Sequence, residues 1–151
     1  MRSGGVCFLF LFLLTVDDAA DTGGTPASPT QSPMTLRQAL SYVNTNCNPY
    51  GPDTFAIHFN IPSAGPHTIA TNAGFSLTCS DTVVDGYTQP GSSPNSLPAA
   101  RDGSNGVIQV VLDGSGMTGG NLFDVGANNA VVRGLALTNW PSFSNAIHVS
   151  G

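Results

Sequence analysis

Three segments of this chain close on the same short pattern. Val83-Val84-Asp85-Gly86, Val111-Leu112-Asp113-Gly114 and Val131-Val132-Arg133-Gly134 each place an apolar pair before a polar residue and a glycine, and Ile147-His148-Val149-Ser150-Gly151 echoes them less closely. The copies are spaced by 28 and then 20 residues. Self-similarity at such a period is the signature of stacked repeats, each too small to bury its own apolar face. A strand that must turn sharply at the same place in every repeat favours glycine there, because the missing Cβ removes the steric penalty. The pattern predicts an all-β chain, a parallel β-helix (solenoid) in which each coil adds short strands to continuous sheets. A β-sandwich would also give short strands and turns, but it requires no turn motif shared between its strands.

Composition agrees with many strands and many turns. Gly (18) and Pro (11) are abundant, charged residues make up 9%, and Lys and Glu are absent, so all nine acidic residues are Asp. Long helices draw on Lys, Glu and Arg, whereas Gly, Pro, Asp, Asn and Ser supply turns. The net charge is −5 with only four Arg. No basic stripe is present to neutralise phosphates, which argues against nucleic acid as a partner and against docking on an anionic membrane surface. A neutral or weakly cationic partner such as an extracellular glycan fits better, and acidic charge also serves solubility.

Along the chain, residues 1–20 read as a signal peptide. Arg2 precedes an almost unbroken apolar run from Val6 to Val16, followed by Asp17 and Asp18. About eleven apolar residues suit a signal and are too few for a transmembrane helix. The small residues Ala19, Ala20, Thr22 and Gly23 make a poor cleavage site, crowded by Asp, and a buried first strand or a wrongly placed start is the competing reading. Residues 21–33, rich in Gly, Pro, Ser and Thr, read as a linker or exposed loop, and 34–151 as the cap and first coils of the solenoid. The cap is one short helix. Thr35 and Gln38 form a capping box, and Leu36, Ala39, Leu40 and Val43 fall on one face. Asn44 to Pro49 ends it.

Thereafter the period is two. Phe55, Ile57, Phe59 and Ile61 alternate with Thr54, Ala56, His58 and Asn60 until Pro62. Shorter strands are expected at 67–70, 82–84, 107–112, 122–125, 130–133, 135–138 and 146–149. Cys7 precedes the apolar run, so it is not a lipidation Cys. Cys47 and Cys79, an even pair in an exported chain, are expected to form a disulfide tying the helix to an early coil. No Cys-x-x-Cys or Cys–His spacing of a zinc site occurs.

From about Val16 onward the sequence resembles bacterial β-helix proteins named for a Cys-Ser-Leu-Arg-Glu-Ala box. The matching residues are Thr35-Leu36-Arg37-Gln38-Ala39-Leu40, then Asp53-Thr54-Phe55, His58-Phe59-Asn60-Ile61-Pro62 and Gly65-Pro66-His67-Thr68-Ile69. Val84-Asp85-Gly86-Tyr87-Thr88-Gln89-Pro90-Gly91 matches most closely, and Leu112-Asp113-Gly114-Ser115 and Val132-Arg133-Gly134-Leu135 follow in order. The resemblance implies a right-handed parallel β-helix in a secreted or surface-attached protein, with an N-terminal helix capping the open end. It brings no catalytic set with it. Met34 and Thr35 precede Leu36 where the box has Cys and Ser, no Cys lies nearby, and Gln38 replaces Glu while still able to complete the capping box.

Related β-helix folds include polysaccharide lyases and glycoside hydrolases, which work with clustered acids or with Arg or Lys beside an acidic substrate. Adjacent coils ~4.8 Å apart would let stacked carboxylates reach the roughly 5 to 10 Å that glycoside hydrolysis needs. Asp85, Asp113 and Arg133 are therefore the candidate catalytic residues, although each precedes a glycine, where Asp ordinarily bonds its own turn. Asp113-Gly-Ser-Gly with Asp124 lacks the alternating ligands of a calcium loop and reads as a turn. His58, His67 and His148 have no partner at ligand spacing, and His58 falls on the outward parity of its strand. Tyr87 and Trp140 are candidates for stacking on sugar rings, although a Trp before Pro141 more often covers a loop. No phosphate-binding Gly loop, cofactor or metal is expected. These residues point to an exported, non-catalytic scaffold or surface binding module, with a glycan as the candidate ligand. The alternative is the N-terminal part of a carbohydrate-active enzyme whose site lies in further coils, since the chain stops in mid-coil at Gly151 and reads as a truncated solenoid.

Overall fold

A computed structural model describes residues 11–48, 54–98 and 103–150. Arg2, Cys7, the first part of the apolar run, Pro49, Asp53 and Gly151 lie outside them. Among the described residues the fold is all-β apart from one α-helix and one 3-10 turn (Gly86–Thr88), and the strands pair in parallel. The ten strands are β1 (Leu11–Val16), β2 (Thr54–Phe59), β3 (His67–Ala70), β4 (Phe75–Leu77), β5 (Thr82–Asp85), β6 (Val110–Asp113), β7 (Phe123–Val125), β8 (Val131–Arg133), β9 (Leu135–Thr138) and β10 (Ile147–Val149). They form three sheets, in the orders β1-β2-β5-β8, β3-β6-β9 and β4-β7-β10. From β2 onward the chain visits first, second and third sheet in turn, three times over.

Alternation along each strand sends every second side chain inward, and the parallel register stacks like on like. Leu14, Ile57, Val84 and Val132 form one inward column, Ile69, Leu112 and Leu137 a second, and Phe75, Phe123 and Ile147 a third. Phe12 stacks on Phe55 with ring centroids 5.3 Å apart, and Phe75 meets Phe123 at 6.1 Å. Residues 11–16, within the stretch read as an export signal, are thus the outermost strand of the first sheet. Strand β4 is absent from the sequence reading, and 107–109 are not part of β6: Val107 makes an isolated antiparallel bridge to Ser93.

The helix α1 (Leu36–Thr45) begins at the capping box. Thr35 Oγ1 accepts from Gln38 N, and Gln38 Oε1 accepts from Thr35 N at 3.0 Å. Its buried face is Leu36, Ala39, Leu40 and Val43, as the periodicity requires. Asn44, on its last turn, donates to Ser76 O and accepts from Thr78 N, so one carboxamide supplies the edge of β4 with the pair of bonds a neighbouring strand would make. Cys47 is bonded to Cys79, with Cα atoms 5.5 Å apart, joining the segment after α1 to the turn after β4. Closing a loop of 32 residues stabilises by roughly 3 to 4 kcal/mol in the chain-entropy model.

Residues 21–33 have no regular structure but are held against the helix. Asp21 pairs with Arg37, Thr35 Oγ1 donates to Thr22 O, and the hydroxyls of Thr25 and Ser41 lie 2.7 Å apart. Among the described residues no helix is long and apolar enough to cross a membrane.

Candidate functional site

The repeated glycines explain where the polar residues of the motif end up. Gly86 and Gly134 sit one above the other at the corner between first and second sheets. A Cβ on Gly86 would strike the carbonyl oxygen of Gly134, and Gly134 has φ +69° with Tyr87 N only 2.5 Å from where its Cβ would be. Only glycine lets the two turns approach this closely. The residues just before them, Asp85 and Arg133, are consequently in register, 48 residues apart in sequence.

Asp85 and Arg133 continue an outward row on the first sheet that runs Thr15, His58, Asp85, Arg133. Asp85 is 7% exposed. Its Oδ2 accepts from Arg133 Nη2 at 2.6 Å and its Oδ1 from Tyr87 N at 3.1 Å. Burial pushes the Asp85 carboxyl up, but the Arg133 guanidinium, the Tyr87 N–H and the nearby His58 outweigh it and hold the group below the usual carboxylate value. The same contact raises Arg133, whose side chain remains largely in solvent. Asp85 is therefore an ionised carboxylate with both oxygens engaged, suited to fixing Arg133 and its own turn rather than to exchanging protons.

Asp113 does not join this row. The 28-residue step that aligned it with Asp85 in the sequence carries the chain from the first sheet to the second within a single circuit. The long excursion between β5 and β6 makes two different sheet positions look like one repeat. Asp113 lies between Ala70 and Thr138. It accepts from Ser115 N at 2.9 Å and Asn139 Nδ2 at 3.0 Å, and these donors, the backbone one foremost, lower its pKa. The expected stack of Asp85, Asp113 and Arg133 is corrected to a pair plus a separate turn-capping Asp.

Tyr87 is half-buried at the first corner, its ring against Gly134, while Trp140, 42% exposed, follows the far end of β9. The length of β9 separates them, so they do not form one stacking platform. His67 is buried at the start of β3; its Nε2 and the Oε1 of Gln109 are without a hydrogen-bond partner, and Gly65 packs against both side chains.

A polar pair on the third sheet escaped the sequence reading. His148 Nδ1 lies 3.0 Å from Asp124 Oδ1, which also accepts from Asn121 Nδ2, and Asn121 Oδ1 accepts from both the backbone and side chain of Asn145. Both members of the His148–Asp124 pair are nearly half exposed. The signal was present as Asn121-x-x-Asp124 and Asn145-x-x-His148, the same offset repeated 24 residues later. Ser76 completes the row, but with Asp124 in the middle, so His148 is not placed between acid and hydroxyl. Among the described residues no group of three or more His, Cys, Asp or Glu is arranged to hold a metal ion.

Two of the concavities among the described residues lie beside the first-sheet and third-sheet rows. One, of about 360 Å3, is lined by Leu13, Thr15, Asp17 and residues 29–32 at the β1 end of the Asp85 row. The other, about 180 Å3 between α1 and β4, is lined by Arg37, Asn44, Ser76 and their neighbours. No known protein family, characterised protein or solved structure matches the chain.

Proposed function

We propose that the chain forms the first coils of a right-handed parallel β-helix, capped by α1, and that it serves an exported protein as a non-catalytic scaffold or surface binding module, with a glycan as the favoured ligand class. The observation that carries this reading is the threefold cycling through the same three parallel sheets, with glycines stacked at the corner. It supports a repeat architecture whose inward columns build a core and whose outward rows build long, regular surfaces. Asp85 spends both carboxylate oxygens on structure and Asp113 caps a turn, so the residues with the most catalytic promise in the sequence have structural work instead. Two outward rows carry polar and charged side chains, Thr15-His58-Asp85-Arg133 and Ser76-Asp124-His148, and the chain's net charge of −5 favours a neutral ligand over a polyanion.

The test is a glycan array probed with the whole protein, followed by depolymerisation assays on neutral glycans and polyuronates. Saturable binding to a neutral glycan without product release is expected. Binding to no glycan class would leave a spacer, and release of product would replace the proposal with the carbohydrate-active enzyme.

A further inference from the structure

We infer that Leu11–Val16 is a permanent strand of the folded protein, and that any trimming of the N-terminus stops short of Leu11. A signal segment that is cut away contributes nothing to the mature fold. Here β1 pairs with β2 through six consecutive residues, from Leu11 opposite Thr54 to Val16 opposite Phe59. Although the segment is apolar on both parities, only one is used inside. Leu14 and Val16 are 0% exposed and Phe12 stacks on Phe55, whereas Leu11 and Leu13 face solvent at 66% and 47%. Removing β1 would uncover Phe55, Ile57 and Phe59 and turn β2 into an open parallel edge.

The residues that follow are equally committed. Asp17 N and Asp18 N both donate to Met34 O, and Asp17 Oδ1 accepts from Met34 N at 2.6 Å. Asp17 Oδ2 accepts from the Ser32 hydroxyl. Asp21 then holds Arg37, and Thr22 O accepts from Thr35. The small residues between Ala19 and Gly23, where cleavage would be sought from the sequence, lie between two anchored points. A cut there would release the strand together with Asp17. This inference sets aside the reading of residues 1–20 as a signal peptide that is removed, so the proposed export does not rest on their cleavage, and it holds whether or not the protein binds glycans.

The experiment has two arms on the full chain produced in an export-competent bacterial host. Intact mass and N-terminal sequencing of the folded, soluble protein should place its first residue at or before Leu11. A first residue between Asp17 and Gly24 would overturn the inference. In the second arm, Leu14→Ala should lower the melting temperature by roughly 10 °C, while Leu13→Ala, which truncates an outward side chain, should leave it within about 2 °C of the parent. Equal melts for Leu14→Ala and the parent would overturn it as well, because an excised segment cannot affect the melt. If Leu14→Ala yields no folded protein, Leu14→Met, which conserves volume, should restore folding; failure of Leu14→Met alongside normal folding of Leu14→Asp would count against a buried strand.

Discussion

At the scale of single residues, several side chains make hydrogen bonds that a strand would otherwise supply. Gln89 is 2% exposed, and its carboxamide donates to Ile61 O at 2.9 Å and accepts from Ile61 N at 2.8 Å, just where β2 has ended. Thr88 does similar work one residue earlier, accepting from Phe59 N at 2.7 Å. Gln89→Ala would leave a buried donor and a buried acceptor unpaired, and is expected to destabilise by about 2–4 kcal/mol, read as a lower urea midpoint with unchanged slope. A midpoint equal to the parent's would mean that solvent replaces the carboxamide. Asp85 gives a pH-dependent counterpart. Its folded pKa lies below the ordinary value of 3.8, so its stabilising contribution is complete above that value and fades as pH falls through the lower, folded one. Between pH 6 and pH 3 the parent should therefore lose more melting temperature than Asp85→Asn; parallel losses would show that other carboxylates govern acid sensitivity. The sequence singled out Asp85 and Arg133, but Gln89 was invisible in it as a structural residue. Its partner lies 28 residues away and meets it only after the circuit closes.

Elements differ in how far they could be read in advance. Helix α1 was legible down to its capping box and its four buried positions, because every interaction that defines them is local. The longer strands were legible through period two. Strand β4 was not, although β7, β8 and β10 of the same length were expected; its edge is completed by Asn44 from the helix, a contact that nothing near it in the sequence announces. Arg37 shows the same limit within a recognised motif. The box places it on the helix, but its work lies elsewhere: it binds Asp21 through two nitrogens, donates to Gly74 O, Ala73 O and Thr71 Oγ1, and sits 4.6 Å from the Phe75 ring centre. That fork clamps the loop before α1 and the turn before β4 onto the helix. Lys has one point charge and cannot reproduce this planar set of donors. Arg37→Lys is thus expected to cost about 1–3 kcal/mol despite keeping the charge, as measured by chemical denaturation. A loss under about 0.5 kcal/mol, typical of neutral surface changes, would mean that the clamp contributes little.

Across the described residues, the core is covered by α1 at one end and thins toward the other. Among the inward side chains, Val84, Val110, Leu112 and Phe123 are fully buried and Val125 nearly so. Their partners one layer on, Val132, Leu135 and Leu137, are only partly buried, and Ile147 and Val149 reach 43% and 71% exposure. The opposite end carries β1, α1, the Asn44 bonds and the Cys47–Cys79 bridge. When layers contact only their neighbours, stability is a sum of layer and interface terms, so a layer covered on one side opens more easily than one covered on both. Amide hydrogen exchange should accordingly be slowest in β2, β5 and β6 and fastest in β8, β9 and β10, with no single rate shared by all strands. The same exposed layer pairs apolar side chains with open strand edges, a combination that favours association between chains. Light scattering on the 151-residue chain should therefore show association rising with concentration, and replacing Ile147 and Val149 by Arg should suppress it without changing protection in β2 or β5. Uniform slow exchange through β10, together with a monomer at every concentration, would show that β8–β10 are as well secured as β2, and that side-chain exposure does not set the order in which this fold opens.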